Sequence, residues 1–354
     1  MTKSPRLGSD PDRPLRLGGV GSQEWWYFDA ISDDGRDALV VVWYLGLPFD
    51  PRYGLAALGR LRDPASAFPD PLDHSGVGLS WYRDGKTLAY ALHTYPRRFV
   101  RIDDDPFEIE IGPTRLSRVG SEYRMRLDLP NLDGGGLSAD LAFHATTLES
   151  ASPFELGPLE SRHVWIPAAV DTRVEGRVEV AGKRRSVDFL GRGYHDHNAG
   201  DEELSAAWKS WGWDRVHFDR FTAIHYDATP RRGPRHTPAI LCRDGRAVVI
   251  RDSVEPLCKA RAASRLRLRY PAELEVPGAT VASASDGESI EVPRITRRHS
   301  YLVDDGPFYL RWVSEFDVEG FGRFPGISEW FEGDRLNSRW FNWMIPYRLK
   351  RPWG

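Results

Sequence analysis

The sequence is poor in cysteine and has no long apolar run. Its 354 residues include two cysteines, Cys242 and Cys258, too few for the disulfide framework of a small secreted domain. No stretch reaches the ~18 consecutive apolar residues of a membrane-spanning helix. Residues 1–21 lack the apolar segment of a signal peptide. We therefore predict a cytoplasmic protein, and we expect any contact with a membrane to be peripheral.

The chain also lacks an excess of positive charge and the common nucleotide-binding motifs. Its formal net charge is -3, with a sequence pI of about 6.4, which argues against nucleic acid as a partner. We find no nucleophile elbow of the Gly-x-Ser-x-Gly type, no phosphate-binding glycine loop and no dinucleotide-binding fingerprint in a suitable setting. We therefore expect binding or chemistry that needs no cofactor, and the sequence leaves the oligomeric state open.

Aromatic residues and a period of two dominate what is present. The chain has 13 tryptophans, and such large amphipathic side chains indicate a filled barrel interior or an aromatic-lined site. Apolar residues alternate with charged ones, for example along residues 123–129, as in antiparallel strands with one buried face. The runs Glu24–Ile31 and Ala38–Leu47 flank a turn sequence and predict a hairpin. Together these patterns predict an all-β protein.

We predict that the strands form two β-barrel or sandwich domains packed together. After a flexible segment of residues 1–21, the first domain is expected over residues 22–190 and the second over residues 191–354, each long enough for about eight strands. Short helices are predicted only at Asp201–Trp208 and Asp334–Trp343.

The segment Gly191–Asn198 carries the densest chemistry in the sequence. In a strand, His195 and His197 would lie on one face, opposite Tyr194, Asp196 and Asn198. Such a cluster is costly to bury without partners. It therefore predicts a satisfied polar network, a metal site or an acid–base site.

Two functional interpretations of this segment differ in the residues they recruit. A metal site would use both histidines and Glu202, with a third nitrogen from His217 or His225. A metal-free site would use a carboxyl farther along the chain, Asp227, whose pKa is raised by an apolar surround. Tryptophan faces near that acid would stabilise a cation formed when an alkene is protonated. We favour the metal-free interpretation.

Three stretches resemble one known family. They are Glu24–Asp29, the central signature Gly191–Asn198 with Trp211–His217 and His225–Asp227, and Gly326–Trp330. Together they resemble the carotenoid 1,2-hydratase (hydroxyneurosporene synthase) family, within a group of lipocalin-like two-barrel proteins. The family usually has tryptophan directly after the central asparagine, where this chain has Ala199.

The resemblance implies a cofactor-independent hydratase that protonates a C=C bond of an apolar isoprenoid and lets water capture the cation. The catalytic residues it implies are Asp227, His197 and His225. The substrate-binding residues are expected to be aromatic or imidazole side chains near them: Tyr194, His195, Trp211, Trp213, Tyr226, Trp25 and Trp26. The alternatives are a lipocalin-like pericyclase or isomerase of a secondary metabolite, and a non-catalytic protein that binds hydrophobic ligands.

Overall fold

A computed structural model describes residues 10–147, 154–156, 163–181, 185–251, 253–282, 289–338 and 340–352. Within these ranges the chain forms antiparallel strands, with few helices between them. The helices are α1 (Pro51–Arg62), α2 (Leu204–Ala207) and three 3₁₀ segments, Pro71–His74, Arg97–Phe99 and Asn342–Tyr347. The two helices predicted from the sequence overlap α2 and the last 3₁₀ segment, whereas α1 is not predicted.

The strands fall into two groups along the chain. The first group is β1 (Gln23–Ser32), β2 (Asp37–Leu45), β3 (Ser75–Arg83), β4 (Lys86–Tyr95), β5 (Val100–Asp104), β6 (Phe107–Ile111), β7 (Thr114–Val119), β8 (Glu122–Pro130), β9 (Gly136–Ala145), β10 (Phe154–Leu156), β11 (His163–Val180) and β12 (Arg185–Gly200). The second group is β13 (Trp208–Phe218), β14 (Phe221–Pro230), β15 (Ala239–Arg243), β16 (Arg246–Arg251), β17 (Leu257–Ala263), β18 (Arg269–Val276), β19 (Ala279–Ala282), β20 (Ser289–Val292), β21 (Ile295–Asp305), β22 (Tyr309–Val318) and β23 (Gly322–Glu332).

Each group builds one main sheet. The first sheet has the order β4-β3-β2-β1-β12-β11-β9-β8-β7-β6-β5, with β10 added beside β11, and curls into a nearly closed barrel. The second has the order β16-β15-β14-β13-β23-β22-β21-β18-β17 and forms a half-barrel, while β19 and β20 pair separately. The prediction of an all-β fold of two packed lipocalin-like barrel units is therefore confirmed.

The first barrel has a continuous apolar interior because its strands alternate as the sequence predicts. On β1, Trp26 and Phe28 point into this interior and are fully buried. Tyr27 and Ile31, on the other face of β1, belong instead to a second apolar cluster, which also contains side chains of the half-barrel. Strand β1 thus has one face in the barrel core and the other against the second sheet.

The two sheets meet on this second face. Trp213 of β13 packs edge-on against Tyr27 of β1, with ring centroids 5.6 Å apart. Arg215 of β13 forms a fully buried ion pair with Asp29 of β1. The interface therefore combines aromatic packing with a buried charge pair, and it places the outer faces of β1 and β12 opposite β13.

The division between the sheets lies later than the predicted domain boundary. β12 continues from Arg185 to Gly200 without interruption and pairs with β1 from Gly191 onward. The predicted boundary at Leu190–Gly191 therefore falls inside one strand, because the turn-like glycines there are needed for close approach to β1. A Cβ atom at Gly191 would lie 2.2 Å from the carbonyl oxygen of Ile31.

The described part of the N-terminal segment, residues 10–21, packs on the first barrel. Pro11, Asp12 and Pro14 are buried, and the carbonyl oxygen of Asp12 accepts a hydrogen bond from Trp26 Nε1 at 3.1 Å. The segment was expected to be flexible because it is rich in proline, glycine and charge. Its buried carboxylate instead finds cationic partners inside the barrel.

Candidate active site

β12 separates the central signature into two chemically different faces. His195 and His197 point into the first barrel, whereas Tyr194, Asp196 and Asn198 face the second sheet. The alternation predicted from the sequence is therefore present. It places the histidines and the carboxyl of Asp196 on opposite sides of the sheet.

The two histidines are fully engaged by protein groups. His195 Nδ1 lies 2.9 Å from the carbonyl oxygen of Tyr27, and its Nε2 lies 2.7 Å from Asp12 Oδ1. His197 Nδ1 lies 2.8 Å from the carbonyl oxygen of Pro11, and its Nε2 lies 2.7 Å from Glu24 Oε1. All four ring nitrogens are therefore engaged by oxygen atoms of the protein, and none of them is free to bind a metal.

This network also explains why the interpretation as a metal site does not fit. Glu202, the third expected ligand, is paired with Arg232 at 2.7 Å. Among the residues that the structure describes, no group of three or more His, Cys, Asp or Glu side chains could hold a metal ion. Of the interpretations left open by the sequence, the satisfied polar network describes His195 and His197.

Asp196 is the chemically distinctive residue on the other face. Its Oδ2 accepts hydrogen bonds from Trp165 Nε1 at 2.9 Å and from Tyr194 OH at 3.0 Å, and its Oδ1 accepts one from Asn198 Nδ2 at 2.8 Å. Burial raises the pKa of this carboxyl to about 7, although the Trp165 and Tyr194 donors act in the opposite direction. Near neutral pH, Asp196 therefore exists in both protonated and ionised forms.

Asp196 forms part of the wall of an aromatic cavity between the two sheets. The cavity has a volume of about 50 Å³. Its aromatic lining comes from both sheets and from the loop after β2: Trp25, Tyr27, Tyr44, Phe49, Trp165, Trp211, Trp213, Tyr226 and Tyr309. Such a wall presents several π faces to whatever group approaches the carboxyl.

A larger apolar cavity adjoins the first. It has a volume of about 280 Å³ and is lined by aliphatic and aromatic residues of β2 to β4 and of the segment 304–311, and by the C-terminal residues 343–345 and 347–349. Tyr44, Phe49, Tyr309 and Arg311 line both cavities. The two spaces therefore lie side by side and share part of their lining.

Arg311, which lies in the wall shared by the two cavities, forms a buried ion pair with Glu329. Arg311 Nε donates to Glu329 Oε1 at 2.9 Å, and its other nitrogens donate to Tyr82 OH at 3.0 Å and Tyr309 OH at 2.8 Å. Glu329 is thus held as the partner of a buried guanidinium. Asp196, by contrast, has neutral donors around it, which leaves it the better placed of the two carboxyls to exchange a proton.

The structure places Asp227 outside this cavity. Its carboxylate accepts two hydrogen bonds from Arg235, at 2.7 and 2.8 Å, near the surface. On β14, Tyr226 points into the aromatic cavity, so the next residue along the strand points to the opposite face of the sheet. Asp227 and His197 therefore lie in different barrels, and the structure does not bring the predicted acid and histidine together.

His225 shares the face of Asp227. It lines a separate cavity of the half-barrel, where its Nδ1 lies 3.8 Å from Asp214 Oδ2.

The predicted substrate-binding residues are divided between the two barrels. Trp26 lies in the first barrel and stacks on His197, with ring centroids 4.7 Å apart. Of the predicted substrate-binding residues, Trp25, Trp211, Trp213 and Tyr226 line the aromatic cavity, and Tyr194 supports Asp196 from behind.

Sequence reasoning missed several residues of the site. The sequence places Asp196 within the signature without a role of its own, and it does not single out Trp165, Tyr27 or Arg311. The signal for Asp196 was its position between Tyr194 and Asn198 on the strand face opposite the histidines. Trp165 and Arg311 lie far from the signature in the sequence. The pairing of β11 with β12 brings Trp165 to it, and the packing of the second sheet on the first brings Arg311.

Known proteins are similar to this chain along most of its length. The family model described as carotenoid hydratase CrtC matches residues 41–354. A protein of Chlorobaculum tepidum named hydroxyneurosporene dehydrogenase is 27% identical over 355 residues, covering 95% of this chain and 89% of that protein. An acyclic carotenoid 1,2-hydratase of Thiocapsa roseopersicina is 30% identical over 356 residues, covering 98% of this chain and 78% of that protein.

A similar fold is found among solved structures. The crystal structure of CghA superimposes with a TM-score of 0.60 and 13% sequence identity, covering 92% of this chain and 94% of that one. At this level of identity the likeness shows the fold alone.

Proposed function

The chain belongs to the carotenoid hydratase family and is a hydro-lyase, and from this premise we propose that it adds water to a C=C bond of an apolar isoprenoid with Asp196 as the proton donor. The observation that supports this assignment is the position of Asp196. Its carboxyl has a pKa raised to about 7 and lies in the wall of an aromatic cavity. An acid with a pKa near the working pH combines a protonated population with a strong driving force for proton transfer.

The proposed reaction begins when protonated Asp196 donates its proton to one alkene carbon. The π electrons form the new C–H bond, and the adjacent carbon becomes a carbocation. Trp165, Tyr194 and Asn198 already donate to the carboxylate that remains, so the developing negative charge meets preorganised dipoles. Water then attacks the cation, and the proton released from the resulting oxonium returns to Asp196. Substrate and water thus become an alcohol, and the acid is regenerated.

The aromatic wall serves the cationic stage. Indole and phenol faces attract a cation by their quadrupoles, and a desolvated contact contributes about 2 kcal/mol. Trp213 is 4% exposed and contacts Tyr27 and Tyr194, with ring centroids 5.6 and 5.2 Å away. Its ring is therefore fixed by its neighbours before substrate arrives.

Trp213 also offers a polar atom to the site. Its buried Nε1 has no hydrogen-bond acceptor among the described residues, and a buried N–H group of this kind costs about 1–3 kcal/mol unless it is satisfied. A water molecule in the aromatic cavity would accept this hydrogen bond. We propose that Trp213 orients the water that captures the carbocation.

Replacing Trp213 is expected to slow turnover, and two variants separate the effect of its N–H group from that of its ring. Trp213→Phe keeps an aromatic face but removes the N–H, whereas Trp213→Leu removes both. We expect a lower kcat for the first and roughly 30-fold or greater loss for the second, which corresponds to about 2 kcal/mol of cation–π stabilisation. Steady-state assays with detergent-dispersed substrate would measure both, and Phe68→Leu on the surface is the control. Equal activity of Trp213→Leu and the wild type would contradict the role of the ring.

The reaction itself is tested with an acyclic carotenoid such as neurosporene or lycopene. We expect a product heavier than the substrate by one water. In deuterium oxide, the product should carry one deuterium on the carbon next to the new carbinol, because the donated proton exchanges with solvent. Recovery of unchanged substrate, or of an isomer of equal mass, would favour the binding protein or the isomerase instead.

The larger cavity is expected to set the length of substrate that is accepted. Gly78 lines this cavity, and a Cβ atom there would lie 3.4 Å from Leu92 Cδ1, an ordinary contact. Gly78→Phe should therefore fold and place a ring in the cavity. We expect kcat/KM for a long polyene to fall roughly tenfold or more, since one blocked apolar contact region costs at least ~1.4 kcal/mol. Turnover of a short isoprenoid alkene should persist.

A matched control adds the same ring elsewhere. Val119→Phe places it at a position that is 69% exposed at the end of β7. Equal losses for long and short substrates in Gly78→Phe would show that the larger cavity does not hold the chain.

A further inference from the structure

We propose that the surface around the mouth of the larger cavity docks on an anionic lipid bilayer, from which the protein collects its apolar ligand. This docking surface consists of the outer face of α1 and the C-terminal segment 340–351. The proposal rests on the proposed function for its purpose, but binding to a bilayer is measured without any substrate.

α1 presents an apolar row to solvent. Leu55, Leu58 and Leu61 are spaced three residues apart, so they lie along one side of the helix. Leu55 and Leu61 are exposed, whereas Tyr53 and Ala57 on the other side are buried against the protein. A surface helix normally directs its leucines inward. An outward leucine row is typical of helices that lie in a membrane interface.

The C-terminal segment adds aromatic side chains to this surface. Trp340, Trp343 and Tyr347 are 71%, 63% and 68% exposed. Large aromatic residues with a polar atom favour the headgroup level of bilayers. Three of them within eight residues form a concentrated interfacial group, two on the 3₁₀ segment Asn342–Tyr347 and Trp340 just before it.

α1 and its N-cap contact the C-terminal part of the chain at two points. The side chain of Asn337 packs on Gly54 so closely that a Cβ atom there would lie 2.4 Å from it. Arg351 lies 3.5 Å from the buried carboxylate of Asp50, the N-cap of α1. The leucine row and the aromatic group therefore lie on neighbouring elements.

The charge of this surface identifies the kind of bilayer. α1 contains Arg52, Arg60 and Arg62 and no acidic residue, and the segment 340–352 contains Arg348, Lys350 and Arg351 and no acidic residue. Asp50 pairs with Arg52 and Arg351, and Asp304 pairs with Arg348. Asp63 follows α1 directly, so three carboxylates offset half of these six positive charges. Basic residues near apolar anchors favour anionic lipids by about 1 kcal/mol each.

The docking surface is also continuous with the ligand path. Trp343, Met344, Ile345 and Tyr347 line the larger cavity, and two of these, Trp343 and Tyr347, are exposed on the docking surface. No helix in the described part of the chain is long and apolar enough to cross a membrane. A bilayer seated here would place lipid-dissolved ligand directly at the mouth of the cavity.

Co-sedimentation with vesicles tests the proposal. The full chain is mixed with vesicles of phosphatidylcholine alone or of phosphatidylcholine with phosphatidylglycerol. We expect stronger binding to the anionic vesicles and weaker binding as salt is raised. In the triple variant Leu55→Ser, Leu61→Ser, Trp340→Ser, the partition coefficient should fall roughly tenfold or more, because three interfacial anchors are lost.

Val119→Ser removes an exposed apolar side chain on β7, away from the docking surface, and should bind as the wild type does. Circular dichroism and thermal melting confirm that each variant is folded. Wild-type binding by the triple variant, absence of binding by the wild type, or equal binding to neutral and anionic vesicles would each overturn the proposal. Vesicle binding without hydration of detergent-dispersed substrate would overturn the proposed function alone.

Discussion

Replacing Asp196 by asparagine is expected to abolish hydration and to leave the protein folded. The amide cannot supply a proton, so a general-acid contribution of about 10²- to 10⁴-fold is lost. Folding should survive because burial already disfavours the ionised carboxylate, as its raised pKa indicates. An asparagine carbonyl oxygen can still accept from Trp165 or Tyr194. The measurement is kcat with an acyclic carotenoid, beside a thermal melt.

Asp227→Asn is the matched control for this prediction. Asp227 was the acid implied by the resemblance of the sequence, but its carboxylate is held by Arg235 near the surface. Losing an exposed ion pair costs about 0–1 kcal/mol of stability and removes no group from the aromatic cavity. We expect Asp227→Asn to retain most of its activity. Activity in Asp196→Asn together with inactivity in Asp227→Asn would reverse the assignment.

The pH dependence of the wild type provides an independent check. The pKa of Asp196 is raised to about 7 by burial, and the proposed mechanism needs the protonated carboxyl. The rate should therefore be constant well below pH 7 and fall as pH rises through this value, about tenfold per pH unit. A rate that rises with pH across this range would indicate that the ionised carboxylate is the active form.

Asp12→Ala is expected to cause the largest loss of stability. Asp12 Oδ1 accepts from His195 Nε2 at 2.7 Å, and Oδ2 accepts from Tyr123 OH at 2.8 Å and from Arg118. All of these groups lie inside or at the end of the first barrel. Removing the carboxylate leaves the buried donors of His195 and Tyr123 without an acceptor, and each such group typically costs about 1–3 kcal/mol. Urea unfolding followed by tryptophan fluorescence would measure the change in free energy.

Asp10→Ala is the control, because Asp10 pairs with the same Arg118 at 2.6 Å from a more exposed position. We expect it to cost at most about 1 kcal/mol.

The difference in stability between Asp12→Ala and the wild type should also depend on pH. Burial works to raise the pKa of Asp12, but His195 and Arg118 lower it below the ordinary 3.8. The stabilisation is therefore present above pH 3.8 and is lost as pH falls toward the lower folded pKa.

The opposite sign applies to His197 in the same network. Burial works to lower its pKa, but the Glu24 carboxylate raises it above the ordinary 6.5. The stabilisation from this pair is complete below pH 6.5 and is lost as pH rises through the higher folded pKa. Docking of residues 10–14 on the barrel should thus be strongest in weakly acidic solution. Equal stability of Asp12→Ala and the wild type at pH 6 would contradict the role of the network.

Local pattern was enough to predict much of this protein. The alternation along residues 123–129 and the hairpin of β1 and β2 follow from side chains that must point to opposite faces of a strand. The same rule separated His195 and His197 from Tyr194, Asp196 and Asn198. The helix α1 escaped this reasoning because its leucines face solvent, so the residues that pack inward are Tyr53, Gly54 and Ala57, which form no conventional apolar stripe.

The sequence by itself determined the all-β class, the two units, the family resemblance and the faces of the central strand. Only the tertiary structure decided which carboxyl lines the aromatic cavity. Strand alternation turns Asp227 away from Tyr226, whereas the pairing of β12 with β1 and β11, and the packing of β13 against their outer faces, surround Asp196 with indoles. The pKa of a carboxyl depends on burial and on neighbours in space. Those neighbours come from residues as distant in sequence as Tyr27 and Arg311.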